Sequence, residues 1–291
     1  MKLMNIAVFG IGLMGKPLAK RLLQANHSVI VYNRTISKAQ ELEPFGAKIA
    51  QTPLEAIQTA DILILMLTDA KAIREVLLSP ETADKLQNRT IIQMGTIAPN
   101  ESRSIQKDVE KQGGQYLEAP VLGSIPQAKD GTLLVMVGAK PSQFEEYKPI
   151  LQQFGSQPEY IGEVGTASAL KLALNQLIAS LTSGFALSLG LIERQGVDVD
   201  KFMGILRESA LYAPTFDKKL DRMQQRNFDN PNFPSKHLLK DVNLFLNQAE
   251  ENGLNTEVLQ GIRSIIQQAI ELGLSDSDYS ALFSAINTEK H

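Results

Sequence analysis

At 291 residues and 43% apolar, the chain suits one large or two ordinary domains and is too apolar for disorder. A net charge of −3 gives no reason to expect nucleic acid as a partner, and the lack of cysteine excludes disulfides, thiol catalysis and thiolate metal sites. His27, His237 and His291 are too scattered for a metal centre, so no metal is expected.

Met1 leads into a strand-like run without the basic and apolar regions of a signal peptide, so a soluble cytoplasmic protein is expected. Asn5–Phe9 reads as a β-strand, and Gly10-Ile11-Gly12-Leu13-Met14-Gly15 follows at its end. Lys16 to Gln24 then has helical spacing through Leu18, Arg21, Leu22 and Leu23, and Ser28–Tyr32 is a second strand. Strand, glycine turn, helix and strand within about 30 residues make the βαβ unit of a dinucleotide site. The glycines let the backbone approach a pyrophosphate, and the helix N-terminus offers N–H groups and a positive dipole end. An ordinary tight turn is the plainer alternative.

The end of the second strand selects the cofactor. A carboxylate there would hold the ribose 2′-hydroxyl of NAD. The chain instead has Asn33-Arg34-Thr35. The Arg34 guanidinium can pair with a 2′-phosphate and Thr35 can add a hydroxyl, which favours NADP(H) over NAD(H).

The alternation continues. Ala47–Ala50 is a short strand, Pro53–Thr59 a helix, and Asp61–Leu67 an apolar strand of the doubly covered kind. Thr90–Met94 is another strand, followed by Gly95-Thr96 and a polar helix to Lys111. Ligands of open α/β sheets sit beyond the carboxyl ends of strands, which places Met66, Leu67 and Thr96 near the cofactor. After Gln115–Glu118, residues 119–131 form a Pro- and Gly-rich connection longer than a turn. A strand at Leu133–Val137, a helix at Pro141–Phe154 and a strand near Glu159–Ile161 complete the half.

Strands then cease. Val164–Arg194 is one long helical run in which Lys171 is the only charge between Glu163 and Glu193. A membrane span and a buried core helix both fit the run. Asn175, Gln176, Ser180, Thr182, Ser183 and Ser188 dilute it, so a core helix is expected. A cation on such a helix either snorkels to water or serves chemistry. Asn175 lies at i+4 on the same face. Helices are expected at Val199–Ser209, Phe216–Gln225, Leu238–Glu251, Thr256–Leu272 and Asp276–Asn287. The domains expected are 1–163, α/β, and 164–291, all-helical, joined by the long helix. Lys240-Asp241 heads one of these helices, and a surface ion pair is its plain reading.

Together these residues resemble the β-hydroxyacid dehydrogenase family, the relatives of 3-hydroxyisobutyrate dehydrogenase, over essentially the whole chain. Gly10–Gly15 matches the family's cofactor turn, and Gly95-Thr96-Ile97-Ala98-Pro99 its loop on the nicotinamide side. Glu118–Ser124 is similar to the substrate signature D-A-P-V-S-G-G. Gly162, Gly165, Lys171 and Asn175 match G-x-x-G-x-G-x-x-x-K-x-x-x-N, with Ala167 in place of the third glycine. Phe228, Pro231, Phe233, Lys240 and Asp241 match F-x-x-P-x-F followed by K-D. The resemblance implies a Rossmann domain, an all-helical domain and association as a homodimer or homotetramer. Asn33-Arg34-Thr35 resembles the NADPH-preferring branch, which includes glyoxylate and succinic semialdehyde reductases.

The implied roles follow. Lys171 stabilises charge on the substrate oxygen and donates the proton, Asn175 holds the lysine or that oxygen, and Thr96 and Lys240 flank the cofactor. Backbone N–H groups of Leu122, Gly123 and Ser124, with the Ser124 hydroxyl, hold a substrate carboxylate, although Leu122 replaces the family serine. The expected partner is a small carboxylate-bearing molecule, with no nucleic acid and no membrane. A 3-hydroxyisobutyrate-type dehydrogenase, an imine reductase, which usually lacks the lysine, and a silent NADP-binding scaffold are the alternatives. A 6-phosphogluconate-type decarboxylase is normally longer in its helical half.

Overall fold

A computed structural model describes residues 3–288. In the first half, strands and helices alternate as β1 (Asn5–Phe9), α1 (Gly15–Gln24), β2 (Ser28–Tyr32), α2 (Ile36–Gln40), β3 (Lys48–Ile49), α3 (Pro53–Thr59) and β4 (Ile62–Leu65). They continue as α4 (Ala70–Leu77), β5 (Thr90–Gln93), α5 (Pro99–Lys111), β6 (Gln115–Glu118), β7 (Val121–Leu122), α6 (Ile125–Asp130), β8 (Leu134–Gly138), α7 (Pro141–Leu151) and β9 (Glu159–Gly162). The sheet runs β3-β2-β1-β4-β5-β6-β8-β7, with β9 also on β8. From β3 to β6 every pairing is parallel, and β6–β8 is antiparallel. The strand order reverses direction between β1 and β4, the switch point at which doubly wound sheets bind ligands.

The period of two places alternate strand residues on opposite faces. Ile6, Val8, Val29 and Val31 pack with Leu18 and Leu22 of α1 on one face, while Ala7, Phe9, Ile30 and Leu65 pack with Ile57 and Ile73 on the other. Both faces are covered, so these strands read as unbroken apolar runs. The connection at 119–131 is not one long loop: it holds β7 and α6. Pro126 sits in the first turn of α6, where no backbone N–H is needed, so a residue that looks like a breaker is compatible with a helix start.

The second half is helical: α8 (Thr166–Arg194), α9 (Val199–Arg207), α10 (Pro214–Gln224), α11 (Ser235–Glu251), α12 (Glu257–Ala269) and α13 (Leu282–Ile286). The helix expected to reach Leu272 gives way to a π turn at Ile270–Leu274, and the one expected from Asp276 starts only after a 3-10 turn at Tyr279–Ala281. Two clusters form the helical core. One gathers Phe185, Leu189, Met203, Phe216, Leu220 and Phe283; the other gathers Ala179, Leu238, Val242, Leu259 and Ile266. The two compact units divide between Lys171 and Leu172, within α8.

By length and composition alone α8 could cross a bilayer, and 44% of its most apolar window is buried. Lys171, Asn175 and Thr182 are among its buried residues, while Leu177, Leu181, Leu187 and Leu191 are exposed.

Candidate active site

The glycine turn closes the end of β1 against the end of β4. The Gly10 N–H donates to Tyr32 O at 3.0 Å and the Met66 N–H to Phe9 O at 2.8 Å. A Cβ on Gly10 would overlap the Met66 carbonyl, and one on Gly15 would overlap the Gly10 carbonyl. Neither position accepts a side chain without moving backbone. Gly12 has open space around its Cα, and Gly12 and Leu13 are exposed. Helix α1 begins behind Met14 with no side-chain cap; the Lys16 N–H donates to Gly12 O at 3.2 Å and Pro17 has none, so within the first turn the Gly15 N–H is left to a ligand. The cradle therefore fits a dinucleotide pyrophosphate in shape and in donors.

Asn33 is a brace within this cradle. Its Oδ1 accepts from the Ile11 N–H at 2.9 Å, and its Nδ2 donates to Thr35 O at 2.8 Å. The side chain thus ties the glycine turn to the end of β2. Arg34 and Thr35 are exposed beside it, and Arg34 has no hydrogen bond or ion pair among the described residues. Nearby, Lys16 pairs with Glu41, whose carboxyl is held below the usual range by that hydrogen bond and charge.

Met66 and Leu67 are half-buried beyond β4, and Gly95 lies against the Leu67 carbonyl. The buried Gln93 side chain grips Gly95 at both ends, donating to its O at 2.9 Å and accepting from its N–H at 2.5 Å. That clamp sets the backbone one residue before Thr96. Leu122 pairs with Leu134 in the β7–β8 ladder, and Gly123 is exposed. Ser124 is engaged: its N–H and hydroxyl donate to Gln127 Oε1 at 3.0 and 2.7 Å, capping α6. Its expected role toward a carboxylate requires Gln127 to turn away. With Met136 N–H donating to Pro120 O, the alternation of the ladder makes Leu122 and Leu134 the next hydrogen-bonded pair, so the Leu122 N–H is committed to the sheet and Gly123 needs no such change.

Lys171 and Asn175 are 8% and 3% exposed, so the one charge in the long apolar run is buried rather than snorkelling. They lie one turn apart on α8, Lys171 closing the first unit and Asn175 within the second. In the helical unit Asn175 Nδ2 donates to Asp241 Oδ2 at 2.6 Å. A carboxylate only accepts, so this bond fixes the amide orientation and turns Oδ1 the other way. Asn175 Oδ1 is buried with no hydrogen bond among the described residues. An unsatisfied buried acceptor is costly and points to a donor supplied from outside. Asp241 Oδ1 likewise accepts no hydrogen bond, although Lys240 Nζ stands 2.8 Å away as an ion pair. That pair is no surface contact, because Asp241 is 3% exposed. His237, stacked on Phe233, is held below its usual pKa by burial and by Lys240 and Lys236. Sequence reasoning paired Lys240 with Asp241 but gave the aspartate no task. Asp241's alignment with the K-D motif was the available signal. No cluster of three or more His, Asp or Glu suited to a metal occurs among the described residues.

Fold and cradle define a dinucleotide-binding protein of the doubly wound class. Residues 5–162 match the NAD binding domain of 6-phosphogluconate dehydrogenase, and residues 165–286 match the NAD-binding domain of NADP-dependent 3-hydroxyisobutyrate dehydrogenase. Glyoxylate/succinic semialdehyde reductase 1 of Arabidopsis thaliana is 32% identical, over 97% of this chain and 98% of its own. The chloroplastic reductase 2 of that plant is 31% identical over 98% and 80%. Among solved structures, 3-hydroxyisobutyrate dehydrogenase from Mycobacterium tuberculosis shares the fold with a TM-score of 0.88 at 21% identity, over 99% of this chain and 100% of its own. The chain belongs to the β-hydroxyacid dehydrogenase family, NAD(P)-dependent oxidoreductases acting on the CH–OH group.

Proposed function

We propose that this protein uses NADPH to reduce a small aldehyde or keto acid that carries a carboxylate, such as glyoxylate or succinic semialdehyde, to the hydroxy acid, or runs the reverse oxidation. The carrying observation is that Lys171 and Asn175, one turn apart on α8, are both buried, and that the Asn175 amide oxygen has no hydrogen bond among the described residues. The bound nicotinamide supplies the hydride. Lys171 stabilises the negative charge that develops on the carbonyl oxygen and delivers the proton. Asp241 orients Asn175 so that its Oδ1 accepts from the lysine or from the substrate hydroxyl. Gly10, Ile11, Gly12, Leu13, Met14 and Gly15 cradle the pyrophosphate, with Met66, Leu67 and Thr96 along the cofactor. The Gly123 N–H, joined by Ser124 once Gln127 turns, holds the carboxylate, with Leu122 beside them at the end of β7. The names of the two plant relatives support the substrate class.

The preference for NADPH rests on Arg34, an exposed guanidinium with no internal partner at the end of β2. Arg34→Ala should raise KM for NADPH about 10–100-fold, the loss of a charge-assisted contact of about 1.5–3 kcal/mol. KM for NADH should change little. The test is steady-state kinetics of wild type and variant with both cofactors over glyoxylate, succinic semialdehyde, methylglyoxal, 3-hydroxyisobutyrate and cyclic imines. Equal effects on the two cofactors would remove Arg34 from the 2′-phosphate. Activity confined to the imines would replace the carbonyl reading, and no activity at all would favour a silent scaffold.

The reading places the protein in the cytoplasm, with no role for nucleic acid or membrane, as a homodimer or homotetramer. A second copy would cover the exposed Leu177, Leu181, Leu187 and Leu191 of α8.

A further inference from the structure

A buried carboxylate outside the expected site residues holds the start of the helix that bears Lys171. Glu118 ends β6 and is 0% exposed. Burying a charge is costly unless donors surround it, and here four do. Oε1 accepts from the N–H groups of Gly165 at 2.8 Å and Ser168 at 3.0 Å. Oε2 accepts from the hydroxyls of Ser168 at 2.6 Å and Ser102 at 2.5 Å. The Ser102 proton is committed to Glu118, so the Tyr116 hydroxyl 2.9 Å away donates to Ser102.

The donor pattern is that of a helix cap supplied from elsewhere in the chain. The Ala169 N–H bonds to Gly165 O at 3.1 Å, which makes Gly165 the N-cap residue and Ser168 the third helical position. A Ser or Asp at the N-cap would accept from that third N–H with its own side chain. Gly165 has no side chain, and Glu118 performs the task from the neighbouring strand. Its charge also suits the positive end of the helix dipole. Gly138 faces Glu118 across the β6–β8 pair, where a Cβ would strike the carboxylate. Only glycine at 138 leaves room for the carboxylate where it stands.

Lys171 is three residues beyond Ser168, hence on the next turn of the same face. The geometry points to Glu118 as a positioning residue that fixes the axial and rotational setting of α8 and thereby where the Lys171 ammonium stands. It touches neither substrate nor cofactor. The inference rests on Lys171 being the proton donor. Its effect belongs in the rate of hydride transfer, because a misplacement of about 1 Å can cost about 100-fold.

The test is single-turnover hydride transfer from bound NADPH to the best carbonyl substrate of the panel, with NADPH Kd and melting temperature measured alongside. Glu118→Ala should slow transfer about 10–100-fold while NADPH Kd stays within about twofold. Glu118→Gln should stay within about fivefold of wild type, because its Oε1 still accepts both N–H groups while its amide donates to hydroxyls that can rotate. In the Lys171→Met background Glu118→Ala should add no more than about twofold, since residues acting through one another are not additive. If Glu118→Ala does not fold, Ser168→Ala removes one of the four bonds and carries the same comparison, with an expected loss of about 3–10-fold only when Lys171 is present. Wild-type transfer by Glu118→Ala, or equal slowing in both backgrounds, overturns the positioning role even if Lys171→Met alone is slow. Wild-type transfer by Lys171→Met alone removes the underlying reading, and the positioning role with it.

Discussion

Lys171→Met should slow hydride transfer by about 10²–10⁴-fold, the usual worth of a positioned general acid. Methionine keeps the length and apolar stem of the lysine and removes only the ammonium. NADPH affinity should change little, because the glycine turn, Asn33 and Arg34 lie in another part of the first unit. The melting temperature, measured alongside, separates a loss of chemistry from a loss of fold. Transfer at the wild-type rate would make Lys171 structural. Slowness caused only by lost NADPH binding would move it to the cofactor site.

The largest stability effect is expected at a second buried ion pair of the helical unit. Lys219 Nζ stands 2.7 and 2.9 Å from the two carboxylate oxygens of Asp278, with the lysine 8% and the aspartate 0% exposed. Burial pushes the Lys219 pKa down, and the neighbouring Asp278 charge and hydrogen bond push it back up. The Tyr279 ring lies 4.1 Å from the ammonium. Asp278→Ala removes the counter-charge from a buried cation, a change that costs about 3–5 kcal/mol. It also strips the N–H and hydroxyl of Ser280 of their acceptor. Lys219→Met should cost less, because Asp278 keeps both Ser280 donors. Urea denaturation of the helical unit checks the order. A smaller loss for Asp278→Ala than for Lys219→Met would contradict this account of the pair.

The parts of the fold legible in the sequence are those whose signal is local. Ile62–Leu65 is apolar throughout because both faces of the sheet are covered, and Pro53–Thr59 announces its start with a proline at the first helical position. Helix α6 was hidden by Pro126, and the π turn after Ala269 has no sequence period of its own. The candidate site divides the same way. A glycine turn works through its backbone, so residue type reveals it, and Lys171 stands out as one charge in an apolar run. Asp241 and Glu118 look ordinary in sequence because their meaning lies in partners 66 and 50 residues away. Ser124 shows another limit: its place in the 118–124 signature suggests a role toward substrate, and nothing in its type announces the hydrogen bond its hydroxyl gives to Gln127 at the start of α6.

The most direct measurement compares kcat/KM for succinic semialdehyde and butanal, two aldehydes of equal chain length of which only one carries an acid, with NADPH as reductant. A carboxylate held by backbone N–H groups is worth about 1.5–3 kcal/mol, so succinic semialdehyde should be preferred about 10–100-fold. Equal kcat/KM for the two aldehydes would contradict the carboxylate-bearing substrate class on which the account rests.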